Sequence, residues 1–323
     1  MREIIRVHHT ALRCGITPTA EFEKKGLAQF AINVGTKRGH DCAYCSTGAT
    51  VRMHPSFKAA GESPFASGYA IVDPGTPAKA AHDALHRKKR GLVQLCTIVD
   101  AWAPEAQEHG LGRKCLEAIL CQPEWIVRIL TKSAAVQNDF DLIQRFRDRV
   151  LVGLSITAPP SKSLIMAAVE RWASPIEQRM ATLAAAARRG LRTYAMLCPL
   201  LAGISDGPEQ VDELIDFVLD CGVEEVFVEP LNARGPSLVR TEEVLRTAGY
   251  RAEAEQVAVI RHAVHWSAYT RRLLETAQSA LDRYGCLSKL RFLLYPDRLT
   301  PEDESSIRRR HHGVRWLGKS QPP

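Results

Sequence analysis

From residue 29 to residue 231 the chain alternates short apolar runs with stretches of helical period. The runs occupy residues 29–34, 92–96, 126–130, 150–156, 192–198 and 225–228. Each is short and most are rich in Val, Ile or Leu, as strands covered on both faces should be. The clearest helical start is Ser174-Pro175-Ile176-Glu177. It predicts Ser174 as N-cap, Pro175 at the first position and Glu177 closing a capping box. Ile176, Met180, Leu183, Ala184 and Ala187 then share a face, and Gly190 ends the helix. Asp206-Gly207-Pro208-Glu209 opens a second helix with Val211, Leu214, Ile215, Val218 and Leu219 as its stripe and Gly222 as its stop. Six consecutive strand–helix units predict an α/β fold with a parallel sheet. We expect a partial (βα)6 TIM-type barrel, with an open doubly wound sheet as the alternative. In both, ligands bind at the carboxyl ends of the strands, so the chemistry should follow each apolar run.

Residues 47–89 separate the first two runs and are rich in Gly, Pro and Ala, which predicts an insertion or lid over the strand ends. Beyond Asn232 the pattern is mostly helical, from Thr241 to Tyr284, with a late apolar run at 290–295 and a basic tail. The expected organisation is a barrel over 1–235 and a helical extension over 236–323, both within one domain.

Composition narrows the function classes. The chain has 323 residues, 45% of them hydrophobic, enough for a large core. No run of eighteen apolar residues occurs and the first nine residues lack an apolar signal region, so a cytoplasmic protein with no membrane partner is expected. Lys and Arg number 43 against 36 Asp and Glu, a net charge of +7. The excess concentrates in Arg87-Lys88-Lys89-Arg90 and in Arg308-Arg309-Arg310-His311-His312 with Arg315 and Lys319. Such runs suit nucleic acid phosphates but also occur as solvated loops and tails. Nine cysteines without a secretion signal argue against a disulfide scaffold. Cys115, Cys121, Cys221 and Cys286 fall in helical patterns and are assigned to packing.

Cys42-Ala43-Tyr44-Cys45 is the strongest chemical motif, in the loop after the first run. A CxxC pair serves a redox dithiol, a zinc site or an iron–sulfur cluster. A thioredoxin-like pattern is a poor match here, and zinc would need a second CxxC or a His pair. A cluster needs thiolates on a loop that wraps its inorganic core.

The segment 32–47 resembles the cluster loop of the radical S-adenosylmethionine superfamily, whose pattern is CxxxCxxC with an aromatic residue before the last cysteine, here Tyr44. The resemblance continues through Leu95-Cys96-Thr97-Ile98-Val99-Asp100, Leu130-Thr131-Lys132-Ser133, Gly153-Leu154-Ser155-Ile156-Thr157, Ala173-Ser174-Pro175 with Arg179, and Cys198-Pro199-Leu200. In that order these segments are similar to the spore photoproduct lyase branch, over residues 28 to 235.

The resemblance implies a [4Fe–4S] cluster held by three cysteines. It also implies S-adenosylmethionine bound to the open iron through its amine and carboxylate. An external electron donor would then trigger cleavage to a 5′-deoxyadenosyl radical that abstracts hydrogen from substrate. Cys42 and Cys45 become cluster thiolates. Tyr44 faces the adenine end of the cofactor, while Lys132 and Ser155 meet its carboxylate. Cys96 is the tentative hydrogen donor, and a nucleic acid or modified base is the candidate substrate. Asp100, Trp102, Glu229, Asn232 and Arg234 are candidate pocket residues, with an Asp100–Arg234 ion pair as the structural alternative.

The position of the first cluster cysteine holds Arg38, which cannot ligate iron as a thiolate does. Three explanations stand side by side. Another residue supplies the ligand, with Cys14 foremost and Cys96, Cys198 or His40 behind it; Arg38 is a substitution that weakens the cluster; or the fold has outlived its cluster. The last leaves a silent S-adenosylmethionine-binding or partner-binding barrel, and a zinc-binding structural protein using Cys14, Cys42 and Cys45 is the further alternative.

Overall fold

Every apolar run becomes a strand, within two residues of its expected ends. The computed structural model describes residues 5–233 and 235–318, so Arg234 and Lys319 lie outside the described residues. The strands are β1 (Arg6–His9), β2 (Thr17–Pro18), β3 (Phe30–Ile32), β4 (Gly35–Lys37), β5 (Tyr69–Val72), β6 (Leu92–Leu95), β7 (Ile126–Thr131), β8 (Val150–Ser155), β9 (Arg192–Leu200), β10 (Val226–Pro230), β11 (Leu290–Leu294) and β12 (Val314–Trp316). All six residues of β8 are buried, as the continuous apolar composition requires.

The main sheet has nine strands in the order β12-β11-β10-β9-β8-β7-β6-β3-β2. Every neighbouring pair is parallel except β2 with β3. Eight parallel strands therefore replace the expected six, because β11 and β12 continue the ladder beyond β10. The edge strands β12 and β2 do not pair with each other, so the ladder is open. A second sheet, β1-β5-β4, stands beside it. The segment 47–89 is accordingly more than a lid. It supplies β5, buried at all four positions, and helix Thr76–His86.

The helical extension also reaches the strand ends. From helix Ala263–Asp282, Trp266 Nε1 donates to the Leu231 carbonyl at 2.9 Å, and the Tyr269 hydroxyl donates to the Leu200 carbonyl. No described helix is long and apolar enough to cross a membrane.

Helix Ile176–Arg188 starts where expected, but without the expected cap. Ser174 Oγ accepts from Ala134 N–H at 2.9 Å, and Glu177 accepts instead from the Ser163 hydroxyl. Its buried face is Ile176, Arg179, Thr182, Leu183 and Ala186, with an arginine where the pattern placed only apolar residues. On β9, Tyr194 lies across Gly153 of β8 and donates to the Ile129 carbonyl at 2.7 Å. Arg128 stacks over the Tyr194 ring at 4.6 Å and pairs with Glu225 at 2.8 Å. Among the cysteines assigned to packing, Cys115 is buried and Cys221 and Cys286 are half-buried, whereas Cys121 is exposed.

Candidate functional site

The carboxyl ends of β7 and β8 deliver Lys132 and Ser155 into the interior, and both are buried. Lysine is rarely buried without a partner. Lys132 Nζ donates to Ser155 Oγ at 2.7 Å and to Glu170 Oε1 at 2.9 Å. Glu170 follows helix Ser163–Val169, and its side chain is 2% exposed. It also accepts from the Tyr44 hydroxyl, from Thr157 Oγ1 at 2.9 Å and from Arg179. Arg179 donates a second bond to the Ser155 carbonyl at 2.7 Å. Burial alone would raise the Glu170 carboxyl, but Arg179 and Lys132 outweigh it and hold the group well below the usual carboxylate range. Burial also pulls the Lys132 ammonium below its ordinary value against the attraction of Glu170.

A second network fixes the cysteine loop over this node. Asp100, after β6, accepts from Thr131 Oγ1 at 2.8 Å, from Lys132 N–H at 2.9 Å and from Trp102 N–H at 2.9 Å. His40 Nε2 lies 2.8 Å from Asp100 Oδ2, and its Nδ1 lies 3.2 Å from the Trp172 carbonyl. Gly39 N–H donates to Glu105 Oε1 at 2.7 Å. A side chain at Gly39 would put its Cβ 2.6 Å from Glu105 Oε2 and force that carboxylate to shift. Ala43 N–H donates to the Val169 carbonyl at 2.8 Å, placing Tyr44 over Glu170.

The two thiols on this loop differ. Cys42 is buried, and burial with the nearby Glu170 charge pushes its thiol up to about 11. Cys45 is half-buried; burial would raise its thiol, but the Arg38 guanidinium brings it below the ordinary value. Arg38 Nη2 lies 3.3 Å from Cys45 Sγ, and Nη1 donates to the Ile98 carbonyl at 3.3 Å. A guanidinium therefore stands beside Cys45 where the CxxxCxxC pattern would supply a thiolate.

No other candidate ligand completes the set. Cys14 is exposed, and the neighbouring Gly15 and Ile16 N–H groups donate to Asp83 at 2.9 Å on helix Thr76–His86. Both ring nitrogens of His40 have partners. Cys198 is buried with Sγ 3.6 Å from the Phe227 carbonyl. Cys96 is buried just past β6 in the left-handed region, φ 68°, and burial keeps its thiol protonated. Among the described residues, no group of three or more His, Cys, Asp or Glu is placed to hold a metal ion.

These elements surround a cavity of about 200 Å³. Its loop side carries Arg38, Tyr44, Cys45 and Cys96, and its floor Lys132 and Ser155. Asp100, Glu229 and Asn232 also line it, as expected, whereas Trp102 does not. Trp102 is instead a core residue whose Nε1 donates to Asp139 at 2.8 Å. Across the cavity Lys25 sits 4.0 Å from Glu229 and over the rings of Phe22 and Tyr295. The sequence reading missed Glu170 and Glu105. The only signal for Glu170 was indirect: an inward lysine and an inward arginine need a carboxylate between them.

No protein-family model matches the chain. It is 28% identical over 163 residues to an uncharacterized protein of Acidianus two-tailed virus, covering 49% of this chain and 52% of that one. An uncharacterized protein of Methanocaldococcus jannaschii is 27% identical, with 36% and 43% covered, and one of Mycobacterium tuberculosis is 27% identical, with 46% and 43% covered. The chain thus spans about half the length of the curated relatives it matches. Among solved structures it is similar to a spore photoproduct lyase double mutant with bound AdoMet and dinucleoside spore photoproduct. That likeness has a TM-score of 0.52 at 17% identity, covering 74% of this chain and 66% of that one. A spore photoproduct lyase complexed with dinucleoside spore photoproduct gives 0.51 at 16% identity, again with 74% and 66% covered. This chain has their fold. At this identity, the likeness speaks to fold alone.

Proposed function

We propose that this chain is a radical S-adenosylmethionine-type protein that binds S-adenosylmethionine at the carboxyl ends of its strands but, with Arg38 at the first cysteine position, does not hold the cluster that would cleave it. The observation that carries the reading is the Cys42–Cys45 loop, pinned over the buried Lys132–Glu170–Arg179 node, with Cys45, Tyr44 and Lys132 lining one cavity. The fold shared with spore photoproduct lyase, one of whose structures holds AdoMet, supports it. So does the strand-end placement of Tyr44, Lys132 and Ser155, which the resemblance assigns to cofactor binding.

The residues fit the two implied groups unequally. For S-adenosylmethionine the lining supplies complementary chemistry: Arg38 and Lys132 for a carboxylate, Glu229 for ammonium or ribose hydroxyls, and Leu130, Met196 and Leu293 for an adenine ring. A cluster held by three thiolates does not fit, because Arg38 takes the position of the first cysteine and Cys14 lies at the surface. Bound S-adenosylmethionine would bring a sulfonium, whose cleavage to a radical needs an electron that a cluster would supply; this chain's own residues would bind and orient the ligand and keep water from the Cys42–Glu170 interior.

The second reading is a complete radical enzyme, favoured by the CxxC spacing and by the protonated Cys96 thiol facing the cavity as a hydrogen donor. Anaerobic reconstitution with iron and sulfide followed by reduction separates the two. A chain that binds S-adenosylmethionine but retains no cluster and releases no 5′-deoxyadenosine matches the first reading. Full iron and sulfide retention with 5′-deoxyadenosine release matches the second. Failure to bind S-adenosylmethionine before or after reconstitution contradicts both.

A further inference from the structure

We infer that Arg38 is the carboxylate anchor of an S-adenosylmethionine site that works without iron. The inference rests on the reading above, that the cavity takes this ligand. Arg38 leaves the end of β4, lines the cavity and turns its guanidinium towards the cysteine loop. A guanidinium carries five N–H donors in a planar fork. Its two contacts are the Ile98 carbonyl and Cys45 Sγ, and neither is a carboxylate. Among the described residues, no Asp or Glu side chain makes a hydrogen bond or ion pair with it.

Lys132, the other cation on this side, is already matched by Glu170. Asp100 acts on Arg38 only through space, so the cavity wall keeps one guanidinium to which no protein carboxylate is hydrogen-bonded among the described residues. Arginine stays charged at every accessible pH, and half-buried Arg38 is matched here only by the Cys45 sulfur and a carbonyl. A ligand carboxylate meets the fork in a bidentate geometry, among the strongest neutralising contacts a protein offers. The amino-acid end of S-adenosylmethionine carries such a group. In a three-thiolate site a metal would stand in this part of the cavity. Here, where the first cysteine is replaced, the positive charge comes from the replacing side chain. The substitution that removes the cluster thus supplies a substitute for its binding role.

The test uses chelator-treated, iron-free protein and equilibrium dialysis with S-adenosylmethionine and with its decarboxylated analogue. Wild type, Arg38→Gln and Arg38→Lys are compared after circular dichroism and urea unfolding show that each is folded. We expect wild type to bind S-adenosylmethionine without iron, Arg38→Gln to bind it roughly tenfold or more weakly, and Arg38→Lys to fall between. The decarboxylated analogue should bind wild type and Arg38→Gln alike, because it lacks the group that Arg38 would hold. The inference is overturned if Arg38→Gln binds S-adenosylmethionine as tightly as wild type, if the analogue loses as much as the full ligand, or if wild type binds only after iron and sulfide are added. If wild type binds no S-adenosylmethionine with or without iron, the reading of the cavity itself fails, which is a different result from an Arg38 that makes no difference.

Discussion

Glu170 joins Tyr44, Thr157, Lys132 and Arg179 in one buried node. Removing its charge leaves a lysine and an arginine without a counter-ion in the interior. Glu170→Gln should therefore lower unfolding stability by about 3–5 kcal/mol at neutral pH, read from urea titration. The sign with pH follows from linkage. The folded-state carboxyl lies below its unfolded value, so its contribution is full above the ordinary glutamate range and fades as pH falls through that range towards the depressed value. The gap between wild type and Glu170→Gln should accordingly narrow below about pH 4, and a gap that widens in acid would contradict the node. At this scale, Cys42, Tyr44 and Cys45 could be picked out by their spacing, and Lys132 and Ser155 by their place after or at the end of an apolar run, with their proposed roles taken from the resemblance. Glu170 was not. It follows a short helix rather than a strand, and only the charges that converge on it mark it out. Arg38 was legible as an anomaly, but its contact with Cys45 needed coordinates.

The elements show where pattern suffices and where it stops. Buried parallel strands write themselves as short apolar runs, so β3, β6, β7, β8, β9 and β10 could be read almost to their ends. β12 is three residues, Val314–Trp316, with an arginine at its centre, and the basic residues around it mask so short a period. Part of that basic character belongs to the fold: Arg308 stacks over Trp316 at 4.3 Å, and Arg310 lies 3.5 Å from Glu275. The Ser174 cap failed because a nearer donor, Ala134 N–H, takes its hydroxyl. Packing between strands makes its own prediction. A Cβ at Gly153 would lie 2.2 Å from the Tyr194 ring. Gly153→Ala should cost about 1–3 kcal/mol by forcing β8 and β9 apart, measured by denaturant unfolding. An unchanged midpoint would mean that Tyr194 does not cross β8 there.

For the whole molecule, the alternation of strand and helix foretold a parallel α/β fold, and the described chain has one, as an open ladder with a cavity at its strand ends. The strand count was not foretold, because two of the eight parallel strands lie beyond the region of regular alternation. The strand ends gather residues from eight separated segments into one cavity, which is how residue 38 and a lysine at 132 come to line the same space. A ligand that binds only the folded chain should raise its thermal midpoint, with a stabilisation that grows as the logarithm of one plus its concentration over its dissociation constant. Lys132→Ala should abolish most of that rise, provided its unliganded melt remains cooperative. Calorimetric titration of S-adenosylmethionine into the iron-free wild-type chain tests the central claim most directly. The account predicts a saturable isotherm with one ligand per chain; a flat isotherm from cooperatively folded protein, unchanged after anaerobic addition of iron and sulfide, would contradict it.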